Sequence, residues 1–230
     1  MTTNSDEYYA NYYSQVLNTG LVGRISDFAH QVMEYPYSSK SYFNKVLELG
    51  SAEGQHRKFI RHGYDLYLET DLRISGEAEV SFASNNGGKV ERFALDAQDL
   101  SRIGTNSIDR IVATCLLVHL PNPERALSEW RRVVRQDGIV SIFVPTEPGL
   151  LLRVFRQITT VPKSKSRGIN HKSIHYREHR NMWIFCNLLI NEIFKGDLII
   201  RRRYPFRFLP WNLSLVDIYD IRISKKQYDQ

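Results

Sequence analysis

The sequence predicts an α/β fold in which helices cover both faces of a doubly wound sheet. Apolar, strand-like runs alternate with helical patterns as far as residue 145, and this alternation indicates parallel β-α-β units. One of these runs, IDRIVATCLLVHL, is apolar over almost its whole length, as expected for a strand buried on both faces. The last two predicted strands lie in DLIIRRRYPF and LSLVDIYDIRI. Because no helix separates them, we expect an antiparallel hairpin.

The first half of the chain divides into short elements. Residues 6–34 are predicted to be helical, since apolar side chains recur there at helical spacing. A strand in KVLEL is followed by a short helix in GQHRKFIRHG and by a second strand in YDLYLETDL. The turn signal Asn-Gly-Gly at 86–88 precedes a third strand, which we expect near residues 90–95.

The second half begins with a helix whose ends are clearly marked. Asn122 fits the N-cap, Pro123 fits the first helical position, and Gly138 is expected to end this helix. A fifth strand follows in IVSIFVP, and EPGLLLRVFRQITT is predicted to be a helix. KSKSRGINHKSIHYREHR is interpreted as a polar, mobile lid, and a further helix is predicted in HRNMWIFCNLLINEIF.

Composition indicates one soluble domain with additions. The chain has 230 residues, 42% of them hydrophobic and 24% charged, and it has no run of eighteen apolar residues that could span a membrane. The N-terminus lacks the layout of a secretory signal, and Cys115 and Cys186 are expected to be free thiols in a reducing compartment. We therefore expect a cytoplasmic protein without a metal site.

The loop after the first strand, Gly-Ser-Ala-Glu-Gly, is the main candidate for a ligand site. In an open parallel sheet, ligands bind beyond the carboxyl ends of the strands. Gly50 would let the chain turn, and Gly54 would let the following helix pack closely. A phosphate-binding loop would need Lys-Ser or Lys-Thr after the second glycine, which this sequence lacks. A dinucleotide is disfavoured because only two glycines match the expected pattern and because Glu53 would repel a pyrophosphate.

S-adenosylmethionine is the ligand that suits this loop better. It is cationic at sulfur, so nearby carboxylates favour its binding. Asp71 ends the second predicted strand, where a carboxylate can accept both ribose hydroxyls. Asp96 ends the third predicted strand and could accept the adenine amino group, while the Ala97 backbone N–H meets a ring nitrogen.

Four motifs in order resemble those of the class I S-adenosylmethionine-dependent methyltransferases. They are VLELGSAEG, YLETDL, ALDAQDL and IDRIVATCLLVHLPNPERAL, and the resemblance covers residues 44–146. It implies a Rossmann-like, seven-stranded sheet with an antiparallel final pair, and S-adenosylhomocysteine as the product. The sequence departs from the family at Ala52, where Gly is common, and at Ser51, which replaces a frequent Gly or Cys. We interpret these departures as a tighter loop.

The resemblance also implies a set of cofactor-binding residues. Glu48 would order the loop or meet the methionine amine, and the region of Thr114 would line the pocket near the methionine end through its backbone. The whole predicted set comprises Glu48, Gly50, Ser51, Gly54, Asp71, Leu72, Asp96, Ala97 and Thr114.

His119 follows the fourth predicted strand and is the candidate catalytic residue. A neutral imidazole there could take a proton from the acceptor, although a supporting role in shape or hydrogen bonding is the alternative. Residues 1–43 are predicted to form a helical lid, in which Tyr12 and Tyr13 would touch substrate. Residues 44–230 would form the methyltransferase domain.

Residues 149–180 are predicted to form a basic substrate cap inserted after the fifth strand. Between Leu150 and Arg180 there are eight Lys or Arg residues and one acid, whereas the whole chain carries a net charge of only +6. The candidate substrate residues here are Arg153, Arg156, His175 and Arg180. A solvated charged face and an RNA-binding patch are the alternatives, but the Asn-Pro-Pro-aromatic tetrapeptide of methyltransferases that act on base amino groups is absent.

The sequence therefore predicts a biosynthetic methyltransferase that acts on oxygen of a small anionic metabolite or of a saccharide or glycan precursor. Nitrogen is the less favoured acceptor atom, and nucleic acid is disfavoured as a partner. RNA methylation and a non-catalytic, cofactor-binding partner subunit are the alternatives. The sequence leaves a homodimer open.

Overall fold

A single mixed sheet of eight strands forms the centre of the protein. The computed structural model describes residue 16, residues 19–82 and residues 88–224. The strand order is β3-β4-β2-β1-β5-β6-β8-β7. The strands are β1 (Tyr42–Leu49), β2 (Gly63–Asp71), β3 (Glu79–Phe82), β4 (Lys89–Ala94), β5 (Ile108–Thr114), β6 (Val134–Pro145), β7 (Leu198–Tyr204) and β8 (Val216–Arg222).

The connectivity confirms the predicted doubly wound α/β fold. β1 lies between β2 and β5 and pairs with both in parallel, so the chain winds outward in opposite directions from this point. Such a reversal leaves a crevice at the carboxyl ends of β1 and β5, where ligands of open α/β sheets bind. The final hairpin is also confirmed, because β8 runs antiparallel to both β6 and β7.

The number of strands differs from the prediction by one. The additional strand, β3, pairs antiparallel with β4 at the edge of the sheet. Its described side chains are exposed, Val80 among them. With only four residues, the strand is too short for its alternating pattern to stand out in the sequence.

Helices cover the two faces of the sheet, as predicted. On one face Trp130 and Ile190, from two separate helices, pack with Leu47 and Ile111. On the other face Val32 and Met33 of the first helix pack with alternate residues of the same strands. The helices are α1 (Gly20–Glu34), α2 (Pro123–Val133), α3 (Leu150–Ile158), α4 (Thr160–Ser166), α5 (His171–Glu178) and α6 (Trp183–Ile193).

Three predicted elements need correction. The helix expected after β1 is only a 3₁₀ turn, Arg57–Phe59, because β2 begins too soon for a loop and a full helix. Helix α2 ends at Val133 and not at Gly138, since Val134 already pairs with Ile108 in the sheet. The segment interpreted as a polar lid is largely helical and forms α4 and α5.

Candidate functional site

A cavity of about 430 Å³ opens at the carboxyl ends of β1 and β5. Its volume falls in the range of small-molecule sites. Helix α1 forms one wall, and α3, α5 and the loop end of the final hairpin form the others. The apolar part of the lining comprises Val22, Ile25, Phe28, Ala29, Phe143, Pro145, Leu152, Phe155, Tyr204, Pro205, Leu215 and Val216.

The loop after β1 is held in a left-handed conformation. Gly50 has a φ of 67°, and a Cβ atom there would lie 2.8 Å from Cδ1 of Leu116. Ala52 has a φ of 48°, a region that L residues other than glycine seldom adopt. Its N–H donates to Oδ2 of Asp71 at 3.1 Å, and the Arg92 guanidinium donates to its carbonyl. These bonds hold the alanine in a position where the family commonly has glycine.

Glu48 places a carboxylate with an unsatisfied oxygen in the wall of the cavity. The residue is only 1% exposed, and burial raises the pKa of its carboxyl to about 7. Oε2 accepts a hydrogen bond of 2.8 Å from the Tyr67 hydroxyl, whereas Oε1 has no partner among the described residues. The hydroxyl of Ser51, which also lines the cavity, is equally without a partner in the described part of the chain. Buried polar atoms of this kind would be satisfied by a polar, positively charged ligand.

The other predicted cofactor residues lie along the same edge of the sheet but outside the cavity lining. Asp71 is the last residue of β2 and pairs with Ala94, the last residue of β4. Asp96 therefore lies just beyond the end of the adjacent strand. Oδ1 of Asp71 accepts from the Arg73 N–H at 2.9 Å, and Oδ1 of Asp96 accepts from the Gln98 N–H at 2.8 Å.

The structure thus divides the predicted cofactor residues into two groups. Those that line the cavity are Glu48, Gly50, Ser51 and Thr114. Those at the strand ends beyond it are Gly54, Asp71, Leu72, Asp96 and Ala97. Leu72 is 70% exposed, whereas Ala97 is buried and its carbonyl accepts from the Trp130 indole at 2.9 Å. Their roles toward a cofactor stay predictions.

His119 lies behind the cavity and not in its lining. Its Nδ1 is 3.0 Å from the Glu178 carbonyl, which can only accept, so this nitrogen carries the proton. Burial lowers the pKa of the imidazole to about 3. The ring packs edge-on against His179 at 4.7 Å between centroids. The base role of His119 stays a prediction, and the packing favours the supporting role.

A cluster of polar side chains lies at the far end of the cavity, around the buried carboxylate of Glu147. Oε2 of Glu147 is 2.8 Å from Nδ1 of His179 and 3.3 Å from Nε2 of His175. Oε1 accepts a hydrogen bond from the Arg156 guanidinium. Burial alone would raise the pKa of Glu147, but the hydrogen bond from His179 and the charge of Arg156 hold it well below its usual range.

Two of the predicted substrate residues, Arg156 and His175, therefore meet in this cluster. Arg153 and Arg180 are exposed and lie outside the cavity lining. Tyr12 and Tyr13 lie outside the described residues, so their predicted contacts with substrate stay predictions.

Sequence reasoning missed Glu147, His171 and His179. The spacing of His171, His175 and His179 along α5 was an available signal, since residues four apart share one face of a helix. Burial lowers the pKa values of both His171 and His175 to about 4, so both rings are neutral near pH 7.

A second group of buried polar side chains lies between α1 and the loop after β1. Nδ1 of His30 is 3.0 Å from Nδ1 of His56, and Nε2 of His56 is 3.0 Å from Oε1 of Glu34. Both histidines line the cavity. Burial lowers the pKa of His30 to about 3. The first helix is thus joined to the loop after β1 by buried hydrogen bonds.

The chain is similar to known methyltransferases in sequence. Residues 47–142 match a family model described as a methyltransferase domain. Over 97 residues the chain is 29% identical to the thiol S-methyltransferase TMT1B of Homo sapiens, a match that covers 41% of this chain and 40% of that protein. The chain therefore spans less than half the length of this curated relative.

Solved methyltransferase structures share the fold at low sequence identity. The CurJ carbon methyltransferase is 12% identical with a TM-score of 0.58, covering 97% of this chain and 60% of that one. A methyltransferase from Thermotoga maritima, described as a possible histamine N-methyltransferase, is 16% identical with a TM-score of 0.57, covering 95% of this chain and 98% of that one.

These similarities agree with the features of the site. The matched residues include the end of β1, the left-handed loop after it, Asp71, Asp96 and β5, which lie at the edge where the sheet reverses direction. Within the described ranges, no helix combines the length and the apolar character needed to cross a bilayer. Residues 47–142 thus resemble a methyltransferase domain in sequence, and the chain as a whole shares its fold with solved S-adenosylmethionine-dependent methyltransferases.

Proposed function

We propose that the protein transfers a methyl group from S-adenosylmethionine to oxygen of a small molecule held in the cavity. The observation that carries this proposal is Glu48. It is a buried carboxylate, one oxygen of which has no partner within the described part of the chain, and it faces a cavity at the switch point of the sheet. A carboxylate in this position favours a cation, which agrees with the cofactor of the family.

The residues present fit the cofactor, which would extend from the cavity along the edge of the sheet. Glu48 and Ser51 would meet its amino acid end, Asp71 the ribose hydroxyls and Asp96 the adenine amino group. When bound, S-adenosylmethionine supplies a methyl group on a positively charged sulfur. The chain's own contribution is to hold and orient the reactants, and in methyl transfer such alignment can supply much of the rate.

The acceptor end of the cavity favours a small, largely apolar molecule with one polar group. Leu152 and Phe155 of α3 and Phe143 of β6 provide apolar contacts. The Arg156 guanidinium is already paired with Glu147, so it offers less to an anionic acceptor than the sequence suggested. His175, whose ring is neutral near pH 7, lines the same end and supplies its polar character.

A thiol acceptor is the second candidate. The observation that favours it is the relative named above, a thiol S-methyltransferase, although that match covers only 40% of the relative. The RNA alternative has weaker support, because the exposed cations Arg153 and Arg180 lie outside the cavity lining and also fit a solvated face.

The test is a methyl-transfer assay with labelled S-adenosylmethionine and paired acceptors that differ only in carrying a hydroxyl or a thiol, such as phenols and thiophenols. We expect the hydroxyl partner to be methylated. Transfer to the thiol alone would favour the second candidate, and transfer to neither, together with transfer to RNA, would contradict the proposal.

A pair of variants locates the acceptor. Leu152→Trp should fill the cavity and raise the acceptor KM at least tenfold while leaving cofactor affinity unchanged. Leu150→Trp is the matched control, since this residue lies on the same helix but is exposed and outside the lining. Equal effects of the two substitutions would show that the acceptor binds elsewhere.

A further inference from the structure

We propose that Glu147, His175 and His179 bind a divalent transition-metal ion at the acceptor end of the cavity. The site itself stands on geometry alone, whereas its role in activating the acceptor rests on the proposed function. The sequence predicted no metal site, because its two cysteines lack the spacing of a zinc motif.

The distances between the three donor atoms suit a single small cation. One donor atom each from Glu147, His175 and His179 all lie within 4.8 Å of one another. The two oxygen–nitrogen distances are 2.8 and 3.3 Å. Ligands about 2.0–2.2 Å from a tetrahedral zinc ion are about 3.3–3.5 Å apart, so small side-chain movements would complete the arrangement.

Two local features bring the donors together. His175 lies in the last turn of α5 and His179 follows as its C-cap, so the two rings lie on one face with centroids 4.6 Å apart. Glu147 lies in the turn between β6 and α3, and its backbone carbonyl accepts from the Trp183 N–H at 2.8 Å. Rigid elements therefore hold all three donors.

The donor set selects the class of metal. Two imidazole nitrogens and one carboxylate oxygen suit zinc, iron, cobalt and nickel, whereas magnesium and calcium prefer oxygen ligands throughout. Three protein ligands leave a fourth position open, as in catalytic zinc sites. His175 and His179 line the cavity, so that position faces the space assigned to the acceptor.

Some neighbouring groups would favour binding of the metal ion, and one would weaken it. Arg156 holds Oε1 of Glu147 and leaves Oε2 directed at the two imidazoles. His119 packs against the ring of His179 and restricts its orientation. The positive charge of Arg156 opposes a second cation nearby, so we expect micromolar affinity and not the much tighter binding of structural zinc sites.

The chemical role follows from the open position. An acceptor hydroxyl or thiol that coordinates there would have its pKa lowered, as the pKa of water is lowered on zinc. Its proton would leave to solvent, and the oxygen or sulfur would keep the electron pair with which it forms the new bond to the methyl carbon. The bond between that carbon and the sulfonium sulfur breaks as the new bond forms, its electron pair stays on sulfur, and S-adenosylhomocysteine leaves. The metal is neither oxidised nor reduced in this step.

The experiment is a calorimetric titration of the metal-free full chain, without an affinity tag, with ZnCl₂. We expect one site per chain, with His175→Ala and His179→Ala each weakening binding at least tenfold. His171→Ala is the matched control, because it removes an imidazole from the same helix that is outside the donor group. Its metal affinity should stay within twofold of the wild type.

A second measurement guards against misfolding of the variants. Thermal unfolding shows whether each variant is folded. At position 147 the variant is Glu147→Gln, because it keeps the size of the side chain. Titration with CoCl₂ should give the visible absorption of a low-symmetry cobalt site in the wild type and not in His175→Ala.

Absence of one-to-one binding in the wild type would overturn the metal site. So would unchanged affinity in folded His175→Ala and His179→Ala, or an equal loss in His171→Ala. Titration of the same metal-free protein with S-adenosylmethionine separates the two proposals. Cofactor binding without zinc binding rejects the metal site alone, and zinc binding without cofactor binding rejects the proposed function alone.

Discussion

Arg110 of β5 and Glu34 at the end of α1 form a fully buried ion pair with two hydrogen bonds. Nη2 of the arginine donates to Oε1 at 2.6 Å, and Nη1 donates to Oε2 at 3.0 Å. The guanidinium also lies 3.9 Å from the ring centroid of Tyr37. Because α1 forms a wall of the cavity, this pair ties that wall to the central strands of the sheet.

Breaking this pair should destabilise the whole fold. Arg110→Met leaves the Glu34 carboxylate buried without its main partner, and such losses cost about 3–5 kcal/mol. The free energy of unfolding in urea would measure the effect. The control is Lys58→Met, which breaks the exposed pair with Asp27 and should cost less than about 1 kcal/mol. Similar small costs for both variants would show that α1 is held by its apolar contacts alone.

Asp71 provides the direct test of the ribose assignment. Asp71→Asn removes the negative charge while keeping the shape, and it should weaken S-adenosylmethionine binding by about 1–3 kcal/mol in calorimetry. Asp65→Asn is the matched control on the same strand, where the exposed carboxylate contacts Tyr42 instead. Unchanged affinity in Asp71→Asn would remove Asp71 from the cofactor site.

Glu48 should make the stability of the ligand-free protein depend on pH. Its pKa is raised from 4.5 to about 7 in the folded state, so the folded protein holds a proton that the unfolded chain releases between these values. The associated stability is therefore fully present below about pH 4.5 and is lost as the pH rises to about 7.

The comparison with Glu48→Gln isolates this effect. The free energy of unfolding of the wild type should fall relative to the variant by up to about 3 kcal/mol between pH 4.5 and 7. Parallel pH profiles for the two proteins would mean that the carboxyl is already ionised in the ligand-free fold.

The protein should be more stable with glycine in place of Ala52. The φ of 48° at this position costs about 1 kcal/mol for a residue with a Cβ, and the larger unfolded-state entropy of glycine offsets part of the gain. We expect Ala52→Gly to raise the free energy of unfolding by up to about 1 kcal/mol, with cofactor affinity unchanged. Ala94→Gly, at an exposed strand position, should instead lower it by about 0.5–1 kcal/mol. A destabilised Ala52→Gly would contradict the strain assigned to this loop.

The sequence predicted best the features that depend on residues close together in the chain, such as helix caps and the ends of strands. Asn122 caps α2 as predicted, since its side chain accepts from the Arg125 N–H at 3.0 Å. Glu48, Asp71 and Asp96 were proposed because apolar runs predicted the strands, and the structure does place the ends of these strands at one edge of the sheet.

The residues that escaped prediction depend on contacts between distant segments. Glu147 and His179 are 32 positions apart and meet only because α3 and α5 pack beside the end of β6. Buried charged residues such as Arg110 and Glu34 were not predicted from the sequence for a related reason. Periodicity assigns charged residues to the surface, whereas here each compensates the other inside the core.

Calorimetric titration with S-adenosylmethionine and S-adenosylhomocysteine, with NAD and ATP as controls, tests the central claim most directly. We expect micromolar binding of the two adenosyl ligands in the wild type, no binding of NAD or ATP, and weaker binding of S-adenosylmethionine in Glu48→Gln. Failure of both adenosyl ligands to bind, or equal binding of NAD or ATP, would contradict the assignment of the cavity and its loop to this cofactor.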